Sequence, residues 1–177
     1  MKIFIGGSRG IKNLDRAVYA SLEAMYKSSI YKLGENKESD EVLIGDADGV
    51  DRLVQEFYHK LKRRSVTVFA CEGKARNNVG GWNVENVEVT STHKDFSYYS
   101  QKDIAMARAA DCGFMVWNGK SKGTLCNIIN LVHLNKKVAV YFTPTKEIIA
   151  IENTNELKAL IERCCENTRS MYEKKQS

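Results

Sequence analysis

The chain has 177 residues, 43% of them apolar, which is enough for one domain with a substantial hydrophobic core. Its formal net charge of +5 and pI of about 8.9 read first as a solvated basic surface and second as attraction to anionic ligands. No apolar run is long enough to span a bilayer and none resembles a signal peptide, so a cytoplasmic protein with no membrane partner is expected. The five cysteines lie mostly in apolar runs (Cys112, Cys126, Cys164), with no Cys-x-x-Cys and no Cys/His ligand spacing. They read as reduced core thiols, and neither a metal site nor a redox role for the adjacent Cys164 and Cys165 is expected.

In chain order, residues 2–6 read as a first strand, followed by a helix over 13–28 in which Leu14, Val18, Leu22 and Met25 recur at helical spacing. The polar stretch 34–40 reads as a surface loop, and 41–45 as the second strand. Val50, Leu53, Val54, Phe57 and Leu61 form the apolar stripe of a second helix, and 65–70 alternate as a third strand. The pattern then breaks over 72–82, where three glycines and an Arg-Asn-Asn run read as a surface loop or a lid. A short strand is expected at 86–90, a helix at 100–110, a strand at 113–117 and a helix from about Gly123 to Leu134. Residues 136–142 are the next strand, stopped by Pro144, the only proline. A last amphipathic helix, 155–172, carries Leu157, Leu160, Ile161, Cys164, Met171 and Tyr172 on one side. That stripe either covers the sheet or makes a homodimer contact.

Strands alternating with helices predict a single-domain α/β fold, Rossmann-like and doubly wound, with a mainly parallel sheet covered on both faces. Nothing in the sequence divides the chain, so residues 1–177 are expected to be one domain, with a core over about 1–142. In such folds ligands bind outside the carboxyl ends of the strands. The unusual polar clusters all follow strands: Gly6-Gly7-Ser8-Arg9-Gly10, Gly45-Asp46-Ala47-Asp48-Gly49-Val50-Asp51, Cys71 to Asn78, and Gly119-Lys120-Ser121-Lys122-Gly123-Thr124. They are expected to converge on one rim.

The last cluster holds two lysines, two hydroxyls and two glycines where a strand runs into a helix. Free N–H groups and the positive end of a helix dipole favour a phosphate there. The spacing is not that of a Walker A loop. The first cluster lacks the dinucleotide fingerprint, but Arg9 can fork onto phosphate or stack on a base. In the second, Asp46 or Asp48 could cap the following helix, bind ribose hydroxyls or act in acid–base chemistry. Tyr98 and Tyr99 are candidates for base stacking or for simple packing.

Taken together, these pieces resemble the SLOG superfamily. Its Rossmann-like members include the cytokinin-activating phosphoribohydrolases (LOG proteins) and the DNA-processing protein DprA, and the nearest likeness is to a smaller bacterial, YspA-type branch. The resemblance rests on Gly6-Gly7-Ser8-Arg9, Gly45 to Asp51, Asp111 with the strand after it, and Gly119 to Thr124, and it spans about residues 2–142. It implies a nucleotide or nucleotide-derived ligand. The phosphoribohydrolases carry a Gly-Gly-x-Gly-Thr-x-x-Glu pattern; here Gly123-Thr124 leads to Asn127, and Lys120 and Ser121 stand where the leading glycines would be.

The leading expectation is therefore a nucleotide-binding or nucleotide-sensing domain. Gly119, Lys120, Ser121, Gly123 and Thr124 would hold the phosphate, with Gly7, Ser8 and Arg9 on the same rim and Asp48 and Asn127 at the ribose. The alternative is an N-glycosidic hydrolase acting on nucleoside monophosphates, with Asp46 or Asp48 as its carboxylate. Single-stranded DNA binding ranks third, from the basic charge and the likeness to DprA. No cofactor beyond a nucleotide is expected.

Overall fold

The computed structural model describes residues 1–34, 40–89 and 93–176. The strands are β1 (Lys2–Gly7), β2 (Glu41–Gly45), β3 (Val66–Cys71), β4 (Asn83–Val87), β5 (Cys112–Trp117), β6 (Val138–Phe142) and β7 (Glu147–Ile151). The helices are α1 (Arg16–Gly34), α2 (Val50–Lys60), α3 (Phe96–Ala109), α4 (Lys122–His133), α5 (Thr154–Glu162) and α6 (Glu166–Gln176). One sheet runs in the order β4-β3-β2-β1-β5-β6-β7. All its pairings are parallel except β6 with β7. The expected α/β, Rossmann-like fold is what forms.

Strand periodicity sorts the core into two layers. Ile3, Ile5, Val42, Ile44, Val66 and Val68 pack with Leu14 ahead of α1, Val18 and Leu22 of α1 and Val50, Val54 and Tyr58 of α2. Phe4, Leu43, Phe69, Met115, Trp117 and Val140 pack on the other face with α3, α4, α5 and α6. Strands buried on both faces read as continuous apolar runs, which is why the central strands were legible. The stripe Leu157, Leu160, Ile161, Cys164 and Tyr172 is buried in this second layer, so it covers its own sheet.

Five expectations shift. The fourth strand lies at Asn83–Val87, not 86–90, because its register pairs Thr67 with Asn83. The third helix starts at Phe96, where Asp95 caps it by accepting from the Tyr98 N–H. Strand β7 was not expected; it is an antiparallel edge strand with only Ile151 fully buried, and its short apolar run, Ile148-Ile149-Ala150-Ile151, does not distinguish strand from helix by periodicity. The last helix is two, broken at Arg163–Cys165. The helix at 13–28 starts at Arg16 and continues to Gly34; of the loop expected at 34–40, residues 35–39 lie outside the described residues, as does Thr90. All five cysteines are free, with Cys126 and Cys164 buried and Cys165 exposed. Among the described residues no helix is long and apolar enough to cross a membrane, and no group of acidic, Cys and His residues could hold a metal ion.

Gly7 sets how closely α2 and β5 approach β1. A Cβ there would overlap the Val116 carbonyl oxygen and lie 2.8 Å from Val50 Cγ2. Gly7→Ala should cost about 1–3 kcal/mol, the range for overpacking a tight core. Gly10→Ala, which meets nothing within 4 Å, should stay within about ±0.5 kcal/mol. Urea unfolding midpoints measure both; equal midpoints would remove the packing role given to Gly7.

Candidate functional site

The strand order reverses between β1 and β5: β2 and β3 extend to one side, β6 and β7 to the other. In a doubly wound sheet that reversal opens a crevice beyond the carboxyl ends of the strands. A cavity of about 610 Å³ lies there, walled by the loop after β1, the start of α2, the first turns of α3 and the loop leading into α4. Its size suits a nucleotide-sized ligand.

One wall is the N-terminus of α4. Ser121 caps the helix through its side chain, and Trp117 Nε1 donates to the Ser121 carbonyl at 3.1 Å. Asn118 Oδ1 accepts from the N–H groups of Lys120 (3.0 Å) and Ser121 (2.9 Å) and from the Ser8 hydroxyl (3.1 Å). These two N–H groups are therefore committed inside the loop. The free donors are those of Lys122 and Gly123, the first two helical residues, which have no intrahelical partner and no other among the described residues. Space opens beside Gly123, where an added Cβ would meet nothing within 4 Å. Arg9, Lys94, Lys120 and Lys122 surround this end of the cavity with positive charge. In the next turn, Asn127 is buried and its Oδ1 has no hydrogen-bond partner among the described residues.

Two aromatic rings stand on the α3 side. Arg76 lies 4.4 Å and Arg9 5.6 Å from the Tyr99 ring centroid, and Lys122 Nζ is 4.4 Å from that of Phe96. Such cation–ring pairs hold both partners at the cavity mouth.

The floor is charged and buried. Lys102 reaches in from α3, only 3% exposed, and donates to Asp103 Oδ1 at 2.6 Å, with Asp46 Oδ1 at 3.9 Å. Asp46 is clasped by Arg76 through its backbone N–H (3.0 Å), Nε (3.0 Å) and Nη2 (2.6 Å). Burial pushes the Asp46 carboxyl up, but these hydrogen bonds and the Lys102 charge outweigh it, and it lies below the usual carboxylate range. Asp51 enters from α2 and is buried, accepting among the described residues only the Ala47 N–H at 3.3 Å. Burial raises its carboxyl to about 7 against the pull of Lys102. Gly45 makes room for the cluster: a Cβ there would overlap Asp51 Oδ2 and lie 2.8 Å from Lys102 Nζ.

Of the residues singled out in the sequence, Gly7, Arg9, Lys120, Ser121, Gly123, Thr124 and Asn127 line the cavity. Ser8 lies behind the wall, fully buried, bonding Asn118 and Thr124. Gly119 faces away: its carbonyl accepts from the Thr168 hydroxyl at 2.7 Å and its φ of +72° forms the turn. Asp46 sits beneath the floor and Asp48 is exposed beside Asn77, 3.2 Å away. Neither carboxylate caps α2, whose N-cap is Gly49 at φ +78°, tight under the Arg9 backbone with no room for a side chain. Asp51, Lys102, Asp103 and Asn118 were not singled out as ligand contacts. Asp51 sits in the acidic cluster that was noticed. Lys102 carried a signal only as a lysine at a position that turns out to be on the buried face of α3.

No family model matches the chain, and neither does any curated protein. Its fold is similar to that of DNA processing protein A from Helicobacter pylori, a structure described for its single-stranded DNA binding mode. The two share 15% sequence identity at a TM-score of 0.59, over 99% of this chain and 80% of that one. At that identity the likeness carries the fold.

Two outcomes follow from the floor. Arg76→Ala leaves the buried Asp46 carboxylate without its partner; with Arg76 partly exposed, the loss should be about 1–3 kcal/mol in urea unfolding. Asp51 keeps its proton in the folded state to about pH 7, whereas an unfolded aspartate releases it near pH 4, so its contribution to stability falls as pH rises through that window and levels off above it. Asp51→Asn removes this dependence. The melting temperature of the variant relative to the parent should climb from pH 4.5 to 7.5, and a constant difference would mean that Asp51 is ionised throughout.

Proposed function

We propose that the crevice binds a nucleotide, with the phosphate on the N-terminus of α4, the sugar beside Asn127 and the base between the aromatic mouth and the charged floor. The observation that carries this is the pairing of free N–H groups at Lys122 and Gly123 with the orphaned, buried Asn127 Oδ1 in the following turn. An anion satisfies the first. The second needs a hydrogen-bond donor, because a buried acceptor left unpaired costs about 1–3 kcal/mol. A phosphate ester bearing hydroxyl groups supplies both. On this reading the chain is a SLOG-type protein of the YspA-like branch. Cleavage of the N-glycosidic bond is left out of the proposal, since Asp46 is held by Arg76 and Asp48 lies off the cavity.

A second reading is single-stranded DNA binding. It is favoured by the similar fold of a protein described for that activity and by the basic rim of Arg9, Lys94, Lys120 and Lys122. One phosphate and base of a strand would occupy the same contacts, with affinity falling steeply as salt rises.

Titration calorimetry separates these readings, using nucleoside 5′-monophosphates, nucleosides, inorganic phosphate and an oligodeoxynucleotide. Monophosphates should bind at least tenfold more tightly than nucleosides, the order expected for hydrogen bonds to a charged group. Lys122→Pro removes one of the free N–H groups together with the Lys122 ammonium of the rim. Ser121, at φ −64° and ψ 115°, already has the backbone that precedes a proline, and the first helical position tolerates one. The variant should keep its melting temperature and lose about tenfold in monophosphate affinity. Tight oligonucleotide binding with none of the mononucleotides would move the conclusion to the second reading, and no binding of either would overturn both.

A further inference from the structure

The charged floor is the part of the cavity that a phosphate site does not explain. Phosphate at α4 sits over β5, whereas Asp51 and Lys102 meet over Gly45 at the end of β2. With β1 between them, the two places are two inter-strand spacings apart, about 10 Å. The hydroxyls of a nucleotide lie closer than that to its own 5′-phosphate, and the far edge of the base reaches it. The walls on the way, Phe4 and Met106, are apolar and suit the faces of a base.

The floor presents a specific hydrogen-bond pattern. Lys102 spends one N–H on Asp103 and retains others. Asp51 forms no ion pair within 4 Å, with Lys102 or with anything else described, and its one bond, from Ala47, is long. Thus an ammonium and an almost unpartnered carboxylate stand side by side on one cavity wall, held apart from each other. A carboxylate offers two oxygens to two adjacent donors, and the ammonium seeks an acceptor next to them. Among the nucleobases, guanine has that run on its Watson–Crick edge: exocyclic amine, ring N–H, carbonyl. Adenine, cytosine and uracil each present a single donor group beside acceptors, leaving one Asp51 oxygen unpaired.

We propose that Asp51 and Lys102 read the Watson–Crick edge of a guanine base, Asp51 accepting from its ring N–H and amine and Lys102 donating to its carbonyl oxygen. The inference rests on the nucleotide reading and adds the base to it. Binding uses the ionised carboxylate. The groups facing Asp51 are Lys102 and Asp103 from α3, Asp46 after β2 and Arg76 after β3; β1 contributes only Gly6 and Phe4, which do not titrate. With Asp51 titrating near neutrality, the preference for guanine over adenine rises from pH 6 to 8. Taking that ratio cancels the ionisation of the phosphate, which the two ligands share.

The test is calorimetry of the whole chain with GMP, IMP, AMP, CMP and UMP at pH 6, 7 and 8, repeated with Asp51→Asn. GMP should bind roughly tenfold or more tightly than AMP, CMP or UMP, as expected for one bidentate base contact, with IMP between because it lacks the amine. In Asp51→Asn the GMP advantage should shrink to about threefold or less and lose its pH dependence, while AMP affinity stays within about twofold. If the variant does not fold, the GMP–IMP–AMP order in the parent chain decides. GMP binding no tighter than AMP overturns the inference and leaves the nucleotide reading standing, as does a guanine preference that survives Asp51→Asn. Failure of every mononucleotide to bind removes the nucleotide reading, and this inference with it.

Discussion

The candidate site depends on the hydrogen bonds converging on Asn118. Its Oδ1 accepts from Ser8 after β1 and from Lys120 and Ser121 before α4, while its own N–H donates to the Ser8 hydroxyl at 3.2 Å. This hub ties together the two loops that flank the reversal of strand order. It also determines which groups are left over. Because Asn118 absorbs the N–H groups of Lys120 and Ser121, the free donors fall on the next two residues, Lys122 and Gly123, where the helix dipole is strongest. Thr168 anchors the same loop from beneath, through the Gly119 carbonyl, so α6 takes part in placing the cradle although it lies far from the cavity.

The charged floor follows a different logic. Burying Lys102 with Asp46, Asp51 and Asp103 is a poor way to stabilise a fold, since desolvation offsets most of what pairing returns. The pairings are also uneven. Lys102 and Asp103 are 2.6 Å apart and Arg76 encloses Asp46, yet Asp51 has no cation within ion-pairing distance and holds its proton to about pH 7. Perturbed carboxyls with incomplete partners cluster at binding and catalytic sites far more than in plain cores. The glycines support this interpretation, for Gly45 is needed where Asp51 and Lys102 crowd the end of β2.

Much of this was legible in the sequence. Apolar runs located the central strands, and the rule that ligands gather at strand ends brought four polar clusters to one side. The loop before α4 was identified by its glycines, lysines and hydroxyls, and seven of the residues assigned to the site do line the cavity. Other features were hidden for physical reasons. Edge strand β7 contains a run of four apolar residues, Ile148 to Ile151, too short for periodicity to declare strand or helix, and it exposes Ile148. The division into α5 and α6 occurs at Arg163–Cys165 without a proline or glycine to mark it. Ser8, Gly119 and Asn118 could not be sorted into ligand-facing and loop-building by residue type, because a hydroxyl, a glycine and an amide serve either purpose. Lys102 is the clearest case: a lysine in a helix is normally solvated, and only tertiary placement shows that this one is buried.

Asn127 and Asp51 are two forms of one imbalance at opposite ends of the same cavity. One is a buried amide oxygen with no donor among the described residues; the other is a carboxyl that burial keeps protonated to about pH 7 and that accepts a single long hydrogen bond. Each raises the energy of the empty site, and each is relieved by a ligand that brings hydrogen-bond donors rather than charge alone. A bare anion at α4 would relieve neither. On the proposed reading, the demand for donors at both ends, the apolar walls between them and the cationic rim favour a nucleotide over a simple phosphate. They also explain why a single-stranded DNA reading and a mononucleotide reading converge on this crevice: both deliver a phosphate, an apolar ring and a donor-bearing edge in that order.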